Sequence, residues 1–203
     1  MPKGLKSFLN QLDGFTKIIV SINIIFYIIS VIYNGASALT GLSRNQMLQT
    51  FGMTGDNGVI PVITSMFMHA SLGHFIMNMG TLLLFSPIVT KYFPISYYAT
   101  TYLLSGVVGN VVTRYLNPDM VTMGASGAIY GVMGMLFVAV ISSNFVKYFE
   151  GLKEMTLMIF IIIGINVFMT FNYPNINILA HLSGLFIGVI IAIAMLLRIR
   201  KSN

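Results

Sequence analysis

The chain has 203 residues, of which 56% are hydrophobic and only 8% charged, with a mean hydropathy of +0.86. That composition excludes an ordinary soluble domain and marks an integral membrane protein. Eleven Lys and Arg against five Asp and Glu give a formal net charge of +6, and the absence of cysteine removes disulfides, thiolate catalysis and cysteine-ligated metals together.

A helix that crosses a bilayer needs about 20 mostly apolar residues. Between charged and Gly-, Asn- or Pro-rich interruptions six such runs are readable, at roughly 15–34, 65–90, 95–115, 125–145, 154–172 and 179–198. Little chain is left over. The expectation is an all-α membrane protein in which residues 1–203 form a single six-helix bundle, with no soluble domain, linker or internal repeat.

With these spans, Lys3, Lys6, Lys17, Lys91, Lys147, Lys153, Arg198, Arg200 and Lys201 fall on or beside one side, and only Arg44 and Arg114 on the other. This is the positive-inside distribution, so both termini are expected in the cytoplasm. The basic excess is then a topology signal, and no nucleic-acid partner is expected. Lys3 and Lys6, the run from Ile18 to Ile32, and Ala36-Ser37-Ala38 also have the outline of a cleavable signal peptide. Cleavage there would remove one helix and leave the other spans.

Spans two, four and six run inward from the external side. Ser126 opens span four, His181 opens span six, and His74 with Asn78 is expected two to three turns into span two. Any one of these polar groups can be explained as an interhelical hydrogen bond. Their agreement in depth on three different helices points instead to a site in the outer leaflet, because polar side chains within a membrane are costly.

A serine hydroxyl attacks at neutral pH only if a base takes its proton, and the neutral imidazole of His181 suits that task. Asp13, Asp56, Asp119, Glu150 and Glu154 all fall in loops or at span ends, so the pair is expected to be a dyad without a carboxylate. A carboxylate buried in the bilayer without a partner would cost several kcal/mol. Tyr130, one turn after Ser126, can stack on His181. His74 and Asn78, spaced i, i+4, can join the Ser126 amide as donors to an oxyanion. Gly127 with Gly131, and Gly184 with Gly188, form small-residue faces that let spans four and six approach.

The segments Gly124-Ala125-Ser126-Gly127-Ala128-Ile129-Tyr130-Gly131, Ala180-His181-Leu182-Ser183-Gly184 with Gly188, and His69-Ala70-Ser71-Leu72-Gly73-His74-Phe75-Ile76-Met77-Asn78 together resemble the motifs of the rhomboid intramembrane serine proteases. The resemblance, to the basic six-helix form, covers essentially the whole chain. It implies a serine-type endopeptidase with Ser126 as nucleophile and His181 as general base and acid. Tyr130 would support His181, Gly124 and Gly127 would frame the serine, and His74, Asn78 and the Ser126 amide would hold the oxyanion. His69 would hold the first external loop. Many family members carry Trp-Arg where this chain has Ile60-Pro61, so the loop over roughly 35–64 is expected to anchor differently.

The implied substrates are single-span membrane proteins cut in or near the outer-leaflet part of their helix, where Gly, Pro or other weak helix formers ease unwinding. The segment Phe171-Asn172-Tyr173-Pro174-Asn175-Ile176-Asn177 is a candidate lid, and span five around Gly164 a candidate lateral gate. A rim of Ser71, His69, Asn172, Asn175 and Asn177 offers water a route. No metal or organic cofactor is called for, and a multi-pass protein of a bacterial cell membrane is expected. The rival reading is a noncatalytic rhomboid-like protein that binds membrane clients, which ordinarily lacks the serine or the histidine. A His-Glu-x-x-His zinc motif and paired intramembrane aspartates are both missing, and His69 and His74, five apart, do not share a helix face as metal ligands. Asn110, Asn144 and Asn166 are thin support for a transporter.

Overall fold

The computed structural model describes residues 10–142, 151–173 and 176–202, with side chains placed as far as residue 198. The expected end of span four at 143–145, Asn144, Lys147, Glu150, Pro174, Asn175, Lys3 and Lys6 lie outside the described residues, as do the side chains of Arg200 and Lys201.

The first long helix, α1 (Gly14–Asn34), starts where the Asp13 carboxylate accepts from Thr16 N at 2.9 Å and Thr16 Oγ1 at 2.6 Å. Its buried positions are Thr16, Ile19, Asn23, Tyr27 and Ser30, spaced three and four apart, while Ile18, Ile25, Ile28 and Ile32 are exposed. A soluble helix shows the reverse arrangement, with its apolar stripe inside. Here the apolar stripe faces out because hydrocarbon is its solvent. Thr16 Oγ1 reaches Tyr98 OH at 3.1 Å, and Tyr27 OH donates to the Ala38 carbonyl at 2.9 Å.

The connection that follows carries short helices, α2 (Ser37–Thr40), α3 (Arg44–Gln49) and α4 (Ile60–Thr64), then a 3₁₀ turn at Ser65–Phe67. Three of its contacts tie it to the segment that precedes Ser126. Met53 and Thr122 exchange both backbone hydrogen bonds at 2.8 Å, and Gly55 N donates to the Pro118 carbonyl at 2.9 Å. Arg44 donates to the Asp119 carbonyl at 2.6 Å, and Arg114 to that of Gly58. Ile60-Pro61 opens α4 with proline in the first turn and Ile60 exposed.

Among the described residues five more helices follow: α5 (Leu72–Tyr92), α6 (Ile95–Leu116), α7 (Ser126–Ile141), α8 (Leu152–Asn172) and α9 (Ile178–Ser202). Helix α7 is buried on nearly every face from Gly127 to Val140 and is the centre of the bundle, packed chiefly between α6 and α9. Helix α8 is its opposite, burying only Leu152, Ile159, Ile163 and Thr170 of its 21 residues. Lys91 at the end of α5 lies beside Gly151 at the start of α8, so these two ends meet on one side of the bundle. Arg44 and Arg114 join connections at the other.

Two expectations need correction. The second span begins at Leu72, not at 65, because the 3₁₀ turn ends at Phe67 and Ser71 caps α5 by accepting from His74 N at 3.2 Å. His74 therefore stands in the first turn and Asn78 in the second, higher than two to three turns in. Of the expected spans, α1, α5, α8 and α9 are long and apolar enough to cross a membrane. Helix α7 is a shorter apolar helix of 16 residues, and α6, at 22 residues, carries Tyr98, Thr101, Tyr102, Ser105, Asn110 and Thr113 into the interior. The remaining helix bounds fall within a few residues of those expected. The chain is a multi-pass integral membrane protein.

Candidate active site

Ser126 is the first residue of α7, so its N–H belongs to the first turn, which lacks intrahelical partners. His181 lies in the first turn of α9, which Asn177 caps by accepting from Ala180 N at 3.0 Å. The two helices bring Ser126 Oγ and His181 Nε2 to 2.8 Å, the distance of a good hydrogen bond.

Backbone approach makes that distance possible. A Cβ on Gly184 would collide with the Gly127 carbonyl, and one on Gly188 with the Gly131 carbonyl. At the neighbouring turn a Cβ on Gly109 of α6 would lie 2.9 Å from the Ala180 carbonyl. The residue before His181 is thus lodged between α6 and α7 without side chains to hold them apart.

Two groups hold the imidazole. The Tyr130 ring stacks on it at 4.1 Å between centroids with 13° between planes. Thr170 Oγ1 on α8 sits 2.9 Å from His181 Nδ1. Tyr130 OH bonds in turn to Thr170 Oγ1 and to the Asn166 carbonyl. His181 is 7% exposed and Thr170 2%. Sequence reasoning foresaw the stack but missed Thr170, which is one of many hydroxyls and becomes relevant only when α8 meets α9.

His74 and Asn78 converge on Gly124. A Cβ placed there would lie 2.7 Å from His74 Nε2 and 3.4 Å from Asn78 Nδ2. Gly124 also has φ +122°, which L-residues rarely adopt, so only glycine fits on both counts. Gly124 N donates to the Ser65 carbonyl at 2.8 Å, and Asn110 Nδ2 reaches Val62 O at 2.8 Å and Ser65 Oγ at 2.9 Å. This chain of bonds hangs the serine turn from the 3₁₀ turn. Asn78, 6% exposed, keeps its Nδ2 without a hydrogen-bond partner among the described residues. The His74 and Asn78 side chains therefore both face the turn at Gly124, two residues before Ser126 and the N-terminus of α7.

His69 is fully buried, edge-on to His74 at 5.2 Å and to Phe75 at 5.3 Å between ring centroids. Burial, with His74 adding to it against the Phe67 backbone, holds its pKa well below the usual imidazole value, so it packs as a neutral ring. Beside it Leu42 N donates to the Ala70 carbonyl at 2.8 Å, which pins the first connection to the start of α5. Of the expected water rim, His69 does not fit, and Asn177 is half-buried. His69 is enclosed, and Asn177 is committed to Thr113 at 2.9 Å, to Thr122 at 2.8 Å and to its cap. Ser71 is a helix cap, and Asn172 stays exposed.

A family model described as Rhomboid domain matches residues 56–198. Among similar proteins, YdcA of Bacillus subtilis (strain 168) is 32% identical over 133 residues, 64% of each chain. Rhomboid-like protease 3 of Toxoplasma gondii is 28% identical over 128 residues, covering 63% of this chain and 48% of that protein. Rhomboid protease GluP of Bacillus subtilis (strain 168) is 27% identical over 194 residues, 93% of this chain and 36% of GluP. The chain spans less than two thirds of the length of each of these relatives. Because the matched stretch takes in well over half of the sequence, including the helices that carry Ser126, His181, Tyr130, His74 and Asn78, the chain belongs to the rhomboid family.

Proposed function

We propose that the chain is an intramembrane serine endopeptidase that cleaves single-span membrane proteins in or near the outer-leaflet part of their helix. The observation that carries this reading is the 2.8 Å contact between Ser126 Oγ and His181 Nε2, flanked by donors that converge on the same turn.

In the forward step His181 Nε2 takes the Ser126 proton while Oγ attacks the scissile carbonyl. The carbonyl oxygen gains negative charge and receives hydrogen bonds from Asn78 Nδ2, His74 and the Ser126 N–H. A buried donor without a partner costs about 1–3 kcal/mol, so Asn78 gains most when that oxygen arrives. The imidazolium then gives its proton to the departing amine, leaving an acyl group on Ser126. Water repeats the sequence, with its proton passing to His181 and then back to Ser126 Oγ as the acid is released. Each oxyanion donor of this kind contributes about 10²–10³-fold and the positioned base about 10²–10⁴-fold.

In this reading α1, α5, α6, α7, α8 and α9 all cross the bilayer, residues 1–203 form one domain, and both termini lie in the cytoplasm of a bacterial cell. Sixteen residues give α7 a length of about 24 Å against a hydrocarbon core of about 30 Å. Its first residue, Ser126, then lies below the external surface, and water reaches it from that side. Substrate enters laterally past α8, whose few buried side chains leave it the most easily displaced helix of the bundle. Crosslinking α8 to α5 is expected to stop cleavage of a membrane substrate.

The test is reaction of the purified protein, in detergent and in lipid, with a fluorophosphonate probe. Wild type is expected to label, and Ser126→Ala and His181→Ala are expected not to. A folded wild type that fails to label in both media would overturn the protease reading in favour of a noncatalytic client-binding protein.

A further inference from the structure

We infer that Thr170 is a positioning residue that fixes the tautomer of His181, filling with a neutral hydroxyl the place that a carboxylate takes in a triad. The inference rests on the protease reading above for its kinetic consequence, but its structural content stands separately.

His181 can accept the Ser126 proton only if Nε2 is unprotonated, so the neutral imidazole must carry its proton on Nδ1. The group facing Nδ1 is Thr170 Oγ1, at 2.9 Å. A hydroxyl can either donate or accept, and its other bonds decide which. Thr170 Oγ1 lies 3.0 Å from the Asn166 carbonyl, one turn earlier on α8, and that carbonyl can only accept. Once the hydroxyl proton is given to Asn166 O, only lone pairs are left for Nδ1 and for Tyr130 OH. Tyr130 OH can donate to either oxygen, so the network is fully satisfied with Nδ1 protonated. The opposite tautomer would take the Thr170 proton away from Asn166 O, leave that carbonyl to Tyr130 OH alone among side chains and so draw the Tyr130 proton away from Thr170, and turn Nε2–H towards Ser126, where it cannot act as base.

The same three atoms serve the charged state. As His181 becomes an imidazolium, Nδ1–H strengthens its bond to an oxygen already polarised by its own donation to a carbonyl. No full charge has to be kept in the membrane to achieve this. From the other elements His181 is faced by Ser126 and Tyr130, both on α7. Because Thr170 belongs to α8, the imidazole is held in this tautomer only while that helix is seated against α7 and α9.

The experiment compares Thr170→Val, which keeps the shape and removes the hydroxyl, with Thr170→Ser, which keeps the hydroxyl. Tyr130 OH retains the Asn166 carbonyl in both. Steady-state cleavage is measured together with ¹⁵N spectra of histidine-labelled protein, where only three histidines need assignment. A wrong tautomer at a triad histidine costs about 10⁴-fold with a charged partner, so a neutral partner is expected to cost roughly 10- to 100-fold. Thr170→Val should lower kcat by that factor with KM within about twofold, and should shift His181 away from the Nδ1–H tautomer. Thr170→Ser should restore both the tautomer and kcat to within about threefold. Wild-type kcat and tautomer in Thr170→Val, or equal loss in both variants with the wild-type tautomer kept, would overturn the inference. If wild type itself neither labels nor cleaves, the protease reading fails, and the tautomer comparison alone decides the role of Thr170.

Discussion

Replacement of Gly124 by alanine tests the geometry around Ser126 with one methyl group. At φ +122° an alanine costs about 1–3 kcal/mol of backbone strain, which the bundle can absorb without unfolding. The larger effect is local. The new Cβ would stand 2.6 Å from His74 Cε1, and an ordinary contact needs at least 3.4 Å, so the ring must retreat by about 0.8 Å. Asn78 Nδ2, at 3.4 Å, stays in place. Displacement of one donor by that distance is worth about 10²-fold in kcat, since catalytic groups tolerate little misplacement. The assay is cleavage of a fluorogenic transmembrane peptide in proteoliposomes, alongside thermal unfolding of the same preparation. The expected result is a kcat about 100-fold lower with a small loss of thermal stability. A double-mutant cycle sharpens it: in a His74→Ala background the ring is gone, and Gly124→Ala should then cost no more than about tenfold further. Cleavage by Gly124→Ala within threefold of wild type, or full additivity in the cycle, would refute the placement of His74 against this turn.

Gly188→Ala should lower the unfolding temperature although alanine favours helix by about 1 kcal/mol, because its Cβ meets the Gly131 carbonyl, which cannot rotate away, and overpacking costs about 1–3 kcal/mol. A rise in unfolding temperature would show that α7 and α9 are not in backbone contact there. Asn177→Ala removes a cap and bonds to Thr113 and Thr122, together about 2–3 kcal/mol, and should destabilise the protein in a denaturation series far more than Asn172→Ala, whose side chain bonds to Phe168 O of its own helix. Asn78→Leu should cut kcat about 10²–10³-fold with KM little changed, since in the proposed mechanism its donor meets substrate mainly in the transition state; a raised KM at unchanged kcat would assign Asn78 to ground-state binding.

The residues that meet around Ser126 were legible where their relation is local. Tyr130 one turn after Ser126, His74 and Asn78 one turn apart, and glycines at i, i+4 all follow from helix periodicity. Span boundaries were less legible, because hydropathy runs straight through Ser65–Phe67 into α5 and does not register that Ser71 stops the chain to cap a new helix. Helix α6 reads as a span only in outline, since its polar residues answer to neighbours that the sequence does not name. Thr170 was invisible for the same reason. Its hydroxyl bonds its own helix like any serine or threonine in a membrane, and only the docking of α8 against α7 and α9 gives it Tyr130 and His181 as further partners. His69 was misread as rim because a polar residue near a span end has no signature that separates exposure from burial.

The inverted face of α1 bears on when the segment Ala36-Ser37-Ala38 can be cut. In the folded chain Ala38 is fully enclosed and its carbonyl holds the Tyr27 hydroxyl, so no peptidase can lay that segment out as an extended strand. Removal of the helix would also strip the Tyr98 hydroxyl of Thr16, and a buried polar group left without its partner costs about 1–3 kcal/mol. Processing is therefore confined to the interval between insertion of the helix and its docking. The faster that docking is, the more surely a segment with the outline of a leader becomes a permanent wall of the bundle.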